Sequence, residues 1–258
     1  MPDHAEWIVL AAGFLAAVMN AVAGGGTMLT FPALMAAGLP GVLANTTSTV
    51  ALFLGMPGSV WAFRHRLREV RAWIIPLGTV SLLGGLAGGW LLLALPSTYF
   101  DAVVPWLLLM ATTLFLLNPL IQRWLKKKRG ESHDAEPDRP RPWGMAFQAG
   151  VAIYGGYFGA GIGIMMLAGL GLLGLRDLNR MNALKAVLAL CCNAASVVYF
   201  IACGSVDWRL AGWLVAGSIP GYFFGAHFAQ RIPAVAVRVI VAVIGLGIAA
   251  VLFWRQVA

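Results

Sequence analysis

The sequence predicts an all-α polytopic membrane protein made of two related halves, on three observations. First, 60% of its 258 residues are apolar, only 11% are charged and the mean hydropathy is +0.82. That composition excludes a soluble globular domain and a disordered chain. Second, charge-free stretches recur around 42–63, 72–95, 102–121, 186–203, 210–230 and 239–254. Each is long enough to cross a bilayer as a helix. They lack the polar–apolar alternation of a membrane barrel, and backbone groups in lipid must be satisfied internally, so the spans are helical. Third, a run too long for one span and interrupted by glycines opens each half.

The first of these runs, Trp7 to Leu39, is 33 residues without a charge. As one helix it would be roughly 50 Å long, against a hydrocarbon core of roughly 30 Å. Gly24-Gly25-Gly26 interrupts it, and Gly159-Ala160-Gly161-Ile162-Gly163 repeats the interruption 136 residues later. At that same offset Gly38-Leu39 falls on Gly174-Leu175, Leu54 on Leu190, Gly85 on Gly221 and Gly89 on Gly225. This register predicts a duplication: a first membrane repeat over 1–122, a second over 143–258, and between them a cytoplasmic linker at 123–142. The linker is rich in charge and proline and reads as a flexible loop. Asn118-Pro119 is expected to end the fourth span.

Eight hydrophobic segments can be threaded in two ways. If each glycine-broken run crosses once, the repeats are parallel, with 13 Lys/Arg inside and five outside (Arg176, Arg180, Lys185, Arg231 and Arg238). If each run turns back at its glycines, each half has one re-entrant hairpin and three spanning helices. The repeats are then inverted, and 16 Lys/Arg lie inside against only Arg209 and Arg255 outside. The segment Met1–Glu6, which has no Lys or Arg, also goes outside. The positive-inside rule favours this second arrangement.

The net charge of +8 comes from loop clusters at Arg64, Arg66, Arg68 and Arg71 and at Arg123–Arg129. No aromatic platform is interleaved with them, so nucleic acid is not an expected partner. Cys191, Cys192 and Cys203 share one apolar span and read as small apolar residues rather than a disulfide framework or metal site. The first hydrophobic run is longer than a signal-peptide core and lacks a basic leader, so it reads as part of the mature chain.

Chemistry is expected at the glycine breaks. Irregular backbone at membrane depth is tolerated only where it lines a cavity or is buried in protein. The segments resuming at Thr27 and Gly163 offer free N–H groups and the positive end of a helix dipole, which attracts anions. The alternative is close helix packing through small residues, and for Gly84-Gly85 and Gly88-Gly89 packing is the better account. The Gly159–Gly163 run lacks the context of a dinucleotide fingerprint.

Asn45-Thr46-Thr47-Ser48-Thr49 follows the first break and reads either as a helix cap or as a ligand site of amides and hydroxyls. In the second half, Asn182 and Lys185 share a helix face, with Asn193 two turns on. An ionisable residue inside a span implies function unless it snorkels to the interface. His227 reads as interfacial.

No carboxylate lies deep in a span, as a proton relay would require. Export of an anion needs none, because the membrane potential contributes roughly 2.3 kcal/mol per charge per 100 mV. No nucleophile, metal or cofactor constellation is present, so neither an enzyme nor a cofactor is expected.

Together these residues resemble the TauE/SafE family of sulfite and organosulfur-anion permeases, from about Ile8 to Phe253. The resemblance rests on Ala23–Thr27 with Phe31-Pro32-Ala33-Leu34, Gly38-Leu39-Pro40, and Ala44–Ser48. In the second half it rests on Gly155–Gly161, on Asn182, Lys185 and Asn193, on Gly204–Trp208, and on Gly217–Gly225 with Arg231. Ala44-Asn45-Thr46 and Arg64-His65-Arg66 depart from the family pattern. The resemblance implies an inner-membrane carrier of small sulfur-containing oxyanions.

The expectation is therefore a multi-pass secondary transporter working by alternating access. Gly24, Gly25, Gly26, Thr27, Gly159, Gly161 and Gly163 form its turns, Asn45, Thr46, Asn182 and Asn193 its neutral donors, and Lys185 a positive field. Its partners are a small anionic substrate and the lipid bilayer, and its glycine faces are compatible with a homo-oligomer. A passive anion channel and a non-transporting assembly or sensor module are the alternatives.

Overall fold

The computed structural model describes residues 4–22, 25–131, 137–228, 242–243, 245–247 and 249–254. Of the sequence expectations, those at Gly24, Arg231, Arg238 and Arg255 lie outside the described residues, as does that for the His227 side chain.

The described chain is helical, with no strand among the described residues. The first half holds α1 (His4–Val22), α2 (Thr27–Ala36), α3 (Gly41–Phe53), α4 (Met56–Ala62), a short 3-10 turn at Leu67–Val70, α5 (Arg71–Ala94) and α6 (Ser97–Glu131). The second holds α7 (Pro142–Tyr157), α8 (Ile162–Leu172), α9 (Leu178–Ala202), α10 (Trp208–Phe228) and a last helical stretch within Gly245–Trp254. Leu67–Ala94, Ser97–Ile121 and Leu178–Ala202 are long and apolar enough to cross a membrane. At 10 and 11 residues, α2 and α8 are not, since about 1.5 Å per residue carries them only about halfway through the hydrocarbon core.

Glycine sets how closely the helices approach, and the contacts it permits fix their directions. A Cβ at Gly13 would strike Leu214, one at Gly217 would strike Leu10 and one at Gly221 would strike Phe14. Glu6 pairs with Arg209 at 2.6 Å and the rings of Phe14 and Phe224 lie 6.0 Å apart. From Glu6–Arg209 through Leu10–Gly217 to Phe14–Gly221 the numbers advance together, so α1 and α10 run parallel. In the same way Gln148 donates to Ser81 at 2.9 Å and Gly156 abuts Gly85, so α7 runs parallel to α5. Arg180 donates to the Glu69 carbonyl at 3.0 Å, Ser196 donates to the Gly85 carbonyl at 2.8 Å, and Gly89 abuts Phe200, so α9 also runs parallel to α5.

α7 and α9 therefore point the same way, and α8 folds back between them. Gly144 packs on Leu173, Phe147 on Gly169 and Gly155 on Ile162, the descending register of an antiparallel hairpin. In the first half α2 returns against α3, where the Thr30 and Ser48 hydroxyls are 2.6 Å apart. Small residues at crossings are how helices approach closely where no hydrophobic force drives them together. Packing is thus the structural role of Gly85 and Gly88, as expected for them.

Exposed tryptophans mark both ends of the bundle. Trp7, Trp90 and Trp208 lie near the start of α1, the end of α5 and the start of α10, while Trp61, Trp124 and Trp143 lie at the opposite end. Such belts sit at membrane–water interfaces.

Three sequence expectations need correction. The 42–63 stretch is not one straight span: α3 and α4 meet at Leu54-Gly55, just before Pro57, which lacks the N–H that would continue the ladder. Asn118-Pro119 lies near the end of the apolar span Ser97–Ile121 but does not end the helix, because α6 continues to Glu131 with Pro105 and Pro119 inside it. For the same reason 123–131 is helix rather than flexible loop.

Candidate substrate site

The two glycine turns meet the same face of α6. A Cβ on Gly25 would lie 3.3 Å from the Phe115 ring, and one on Gly161 would lie 3.8 Å from Ala111. Ala111 and Phe115 are one helical turn apart, in the middle of the 97–121 span, and both are fully buried. Gly25, Gly159 and Gly161 have φ of +95°, +81° and +79°, a left-handed geometry that glycine adopts without the Cβ clash. It lets the chain reverse within a few residues.

The surroundings of each turn come from distant sequence. Asn20 accepts from the Gly26 N–H at 2.8 Å, and its amide nitrogen faces Tyr222 Oη at 3.4 Å. In the second turn the Tyr154 hydroxyl donates to the Ala160 carbonyl at 2.6 Å. Phe31 of α2 meets Phe158 edge-on at 5.5 Å, and Phe100 of α6 lies 6.2 Å from Phe31 and 6.3 Å from Phe158. This buried aromatic cluster ties both turns to α6.

The polar run Asn45–Thr49 lies inside α3, which starts at Gly41 behind Pro40, so it does not cap the helix. Asn45, Thr46, Thr47 and Ser48 are all buried. Asn45 donates to the Tyr157 carbonyl at 2.9 Å, joining the first half to the residue that ends α7. Thr47 accepts from the Asp207 N–H at 3.0 Å. Thr46 returns its hydroxyl to Val42 and Leu43, and Thr49 returns its own to Asn45. A hydroxyl spent on its own helix is a weaker ligand than a free one.

Lys185 is the only residue of the expected site with a formal charge. Its stem lies 3.5 Å from where a Gly163 Cβ would be, so it crosses the start of α8. Its Nζ donates to Asn182 Oδ1 at 3.0 Å. With that oxygen occupied, Asn182 has its amide hydrogens to offer a ligand. At the start of α8 the Ile162 and Ile164 N–H groups already bond the Gly159 and Gly161 carbonyls at 3.4 and 3.0 Å, so the donors gathered here are the Lys185 ammonium and the Asn182 amide, beside the positive end of the α8 dipole. No carboxylate pairs with Lys185 among the described residues. Asn193 is buried but donates to Ala189 of its own helix at 2.9 Å, and the structure does not join it to either turn. No group of metal-ligating side chains occurs among the described residues.

Sequence reasoning missed Asn20, Thr30, Ala111, Phe115 and Tyr157. Asn20 carried a signal, as a lone amide in an apolar run six residues before Gly26. The others are ordinary membrane-helix residues whose roles come from contacts remote in sequence.

A family model for the sulfite exporter TauE/SafE matches residues 9–252. The chain belongs to that family. A probable membrane transporter protein of Haemophilus influenzae is 28% identical over 252 residues, covering 96% of this chain and 94% of its own. The probable membrane transporter protein ORF9 of Sinorhizobium sp is 23% identical over 252 residues, covering 95% and 91%. The probable membrane transporter protein YfcA of Escherichia coli K12 is 27% identical over 232 residues, covering 88% and 78%. No solved structure matches the chain. This TauE/SafE member is thus a multi-pass membrane transporter, of a family of transporters rather than enzymes.

Proposed function

We propose that this protein is a secondary transporter that exports a small sulfur-containing oxyanion, such as sulfite or a sulfonate, across the inner membrane by alternating access. The observation that carries the proposal is the convergence of Gly25 and Gly161 on Phe115 and Ala111, one turn apart on α6. Convergence of two broken helices makes one site at mid-membrane, where half-helix starts attract an anion. Gly25–Thr27 and Gly159–Gly163 form its backbone, Lys185 and Asn182 its strongest donors, and Asn45 and Thr46 its neutral surroundings.

The repeats over 1–122 and 143–258 are inverted, each with one re-entrant hairpin and three spanning helices. Two observations support this arrangement. α7 and α9 run parallel with α8 folded between them. Arg180 also reaches Glu69 at 3.7 Å, placing the start of α9 beside the basic 64–71 loop, whereas single crossing would separate them across the membrane. The exchange of partners fits as well: the first helix of each half packs on the fourth long element of the other, α1 on α10 and α7 on α5.

Thermal unfolding of the detergent-purified protein against sulfite, sulfate, thiosulfate, short sulfonates and short carboxylates tests this. A ligand at 100 times its dissociation constant stabilises by about 2.7 kcal/mol. The expected result is a shift confined to sulfur oxyanions and lost in Lys185→Ala. No shift with any anion would reject the proposal.

A further inference from the structure

Asn45 is 1% exposed, and its two amide atoms have different fates. Nδ2 donates to the Tyr157 carbonyl, which fixes the orientation of the group, while Oδ1 is buried with no donor. A buried acceptor without a donor is costly, and native structures rarely leave one unmet. Neighbouring polar groups are otherwise engaged: Thr46 and Thr49 bond their own helix, Thr47 holds Asp207 and Ser48 faces Thr30. Tyr157 stands two residues before Gly159, so the bond from Asn45 sets this amide at the end of α7, where the chain enters the second glycine turn. Asn118 carries a second such oxygen one turn along α6 from Phe115, but no contact ties its amide to a turn.

An oxyanion's own oxygens cannot satisfy Asn45 Oδ1, since both are acceptors. Resting on the proposed anion site, we infer that the transported anion also carries an O–H donor, which Asn45 Oδ1 accepts while Lys185, Asn182 and the helix starts hold the charged oxygens. The donor is either a hydroxyl on an organosulfonate or the acid O–H of a partly protonated oxyanion. A site built to receive a hydroxyl rejects analogues that lack one, because its own polar group is then left buried and unpaired.

Two matched pairs of monoanions, measured for binding by thermal shift or calorimetry on the full chain, separate the outcomes. The first pair is 2-hydroxyethanesulfonate against ethanesulfonate. The second is methylphosphonate against methanesulfonate, at a pH where the phosphonate keeps one acid proton. The expected result is a preference of about tenfold or more for the hydroxyl-bearing member of one pair. The first pair assigns the donor to the substituent and the second to the acid group. Asn45→Leu should abolish the preference, so that the two members of the pair bind equally. Should that variant fail to fold, Asn45→Thr removes the amide oxygen and leaves a hydroxyl that bonds its own helix, as Thr46 and Thr49 do.

Equal binding within both pairs overturns the inference, as does a preference that survives in the Asn45 variants. Binding that requires sodium and ignores the hydroxyl also overturns it, and would give Asn45 Oδ1 to a cation. If no sulfur oxyanion binds at all, the proposed function fails rather than this refinement of it.

Discussion

Gly25 and Gly161 turn alike, with φ of +95° and +79°, but in the first half the next N–H, of Gly26, is held by Asn20, whereas in the second half Gly163 lies under the Lys185 stem, whose ammonium donates to Asn182. One repeat earlier than Asn182 and Lys185 stand Thr46 and Thr49, whose hydroxyls bond their own helix. The first turn is thus neutral and clamped by side chains of its own bundle, whereas the second carries the charge and keeps donors in reserve. On the proposed two-repeat reading, the same turn occurs twice and differences at two positions of one helix face give the charge to one half. If transport runs by alternating access, the neutral half is the rigid frame and the charged half the one that senses the ligand.

The largest expected effect tests where the charge lies. Lys185→Met should weaken oxyanion binding by about a hundredfold or more, the scale of losing a buried charged partner. Apo thermal stability should hold, because methionine fills the same space without burying a charge. Comparable loss of binding from Thr49→Val would instead make the halves equivalent. Asn20→Leu should cost about 2 kcal/mol in denaturant unfolding by orphaning the buried Gly26 N–H. A neutral result would mean the first turn is not clamped.

Gly161→Ala isolates the backbone of the second turn, because the nearest atoms to a new Cβ are 3.8 Å away. The left-handed φ alone should cost about 1–2 kcal/mol, read from the shift in unfolding midpoint. The smallest effect lies at the helix starts that follow each hairpin. Asp177 accepts from the Asn179 N–H at 2.6 Å and the Arg180 N–H at 3.2 Å, whereas Pro40 gives α3 no side-chain cap. Asp177→Ala should cost about 1 kcal/mol. The Arg180 and Asn179 N–H groups, and the nearby Arg66 and Arg180 charges, hold its carboxyl below the usual range. Its folded pKa is depressed, so its contribution is complete above the unfolded value of about 3.9 and is lost as pH falls through the lower folded value. Wild type and Asp177→Ala should therefore converge in stability only in strong acid.

The sequence made the glycine turns legible because a charge-free run of 33 residues cannot be one span, and because the second break repeats at a fixed offset. Lys185 and Asn182 were legible from a spacing of three on a helix inside a charge-poor stretch. The course of α6 was not. Pro119 and the basic residues after it resemble a helix end, yet prolines within membrane helices are tolerated where neighbours satisfy the freed backbone, and the helix runs on to Glu131. The link from Asn45 to Tyr157 and the shared seat of both turns on Ala111 and Phe115 join residues with no common pattern in the chain. Tertiary contacts of that kind leave no periodicity to read. The polar run Asn45–Thr49 shows the same limit: its composition suited a cap, but its place five residues into α3 makes it a set of cross-ties.

The central claim is that both turns form one anion site, and thiol protection tests it most directly. Thr27→Cys and Gly163→Cys, made separately after replacing Cys191, Cys192 and Cys203 with Ala, place one reactive group at each half-buried turn. The rate of modification by a membrane-permeant thiol reagent is then measured against sulfur oxyanion concentration. The account predicts that the same anion protects both positions with one apparent affinity. Protection of only one position, or of neither by an anion that binds, would contradict it.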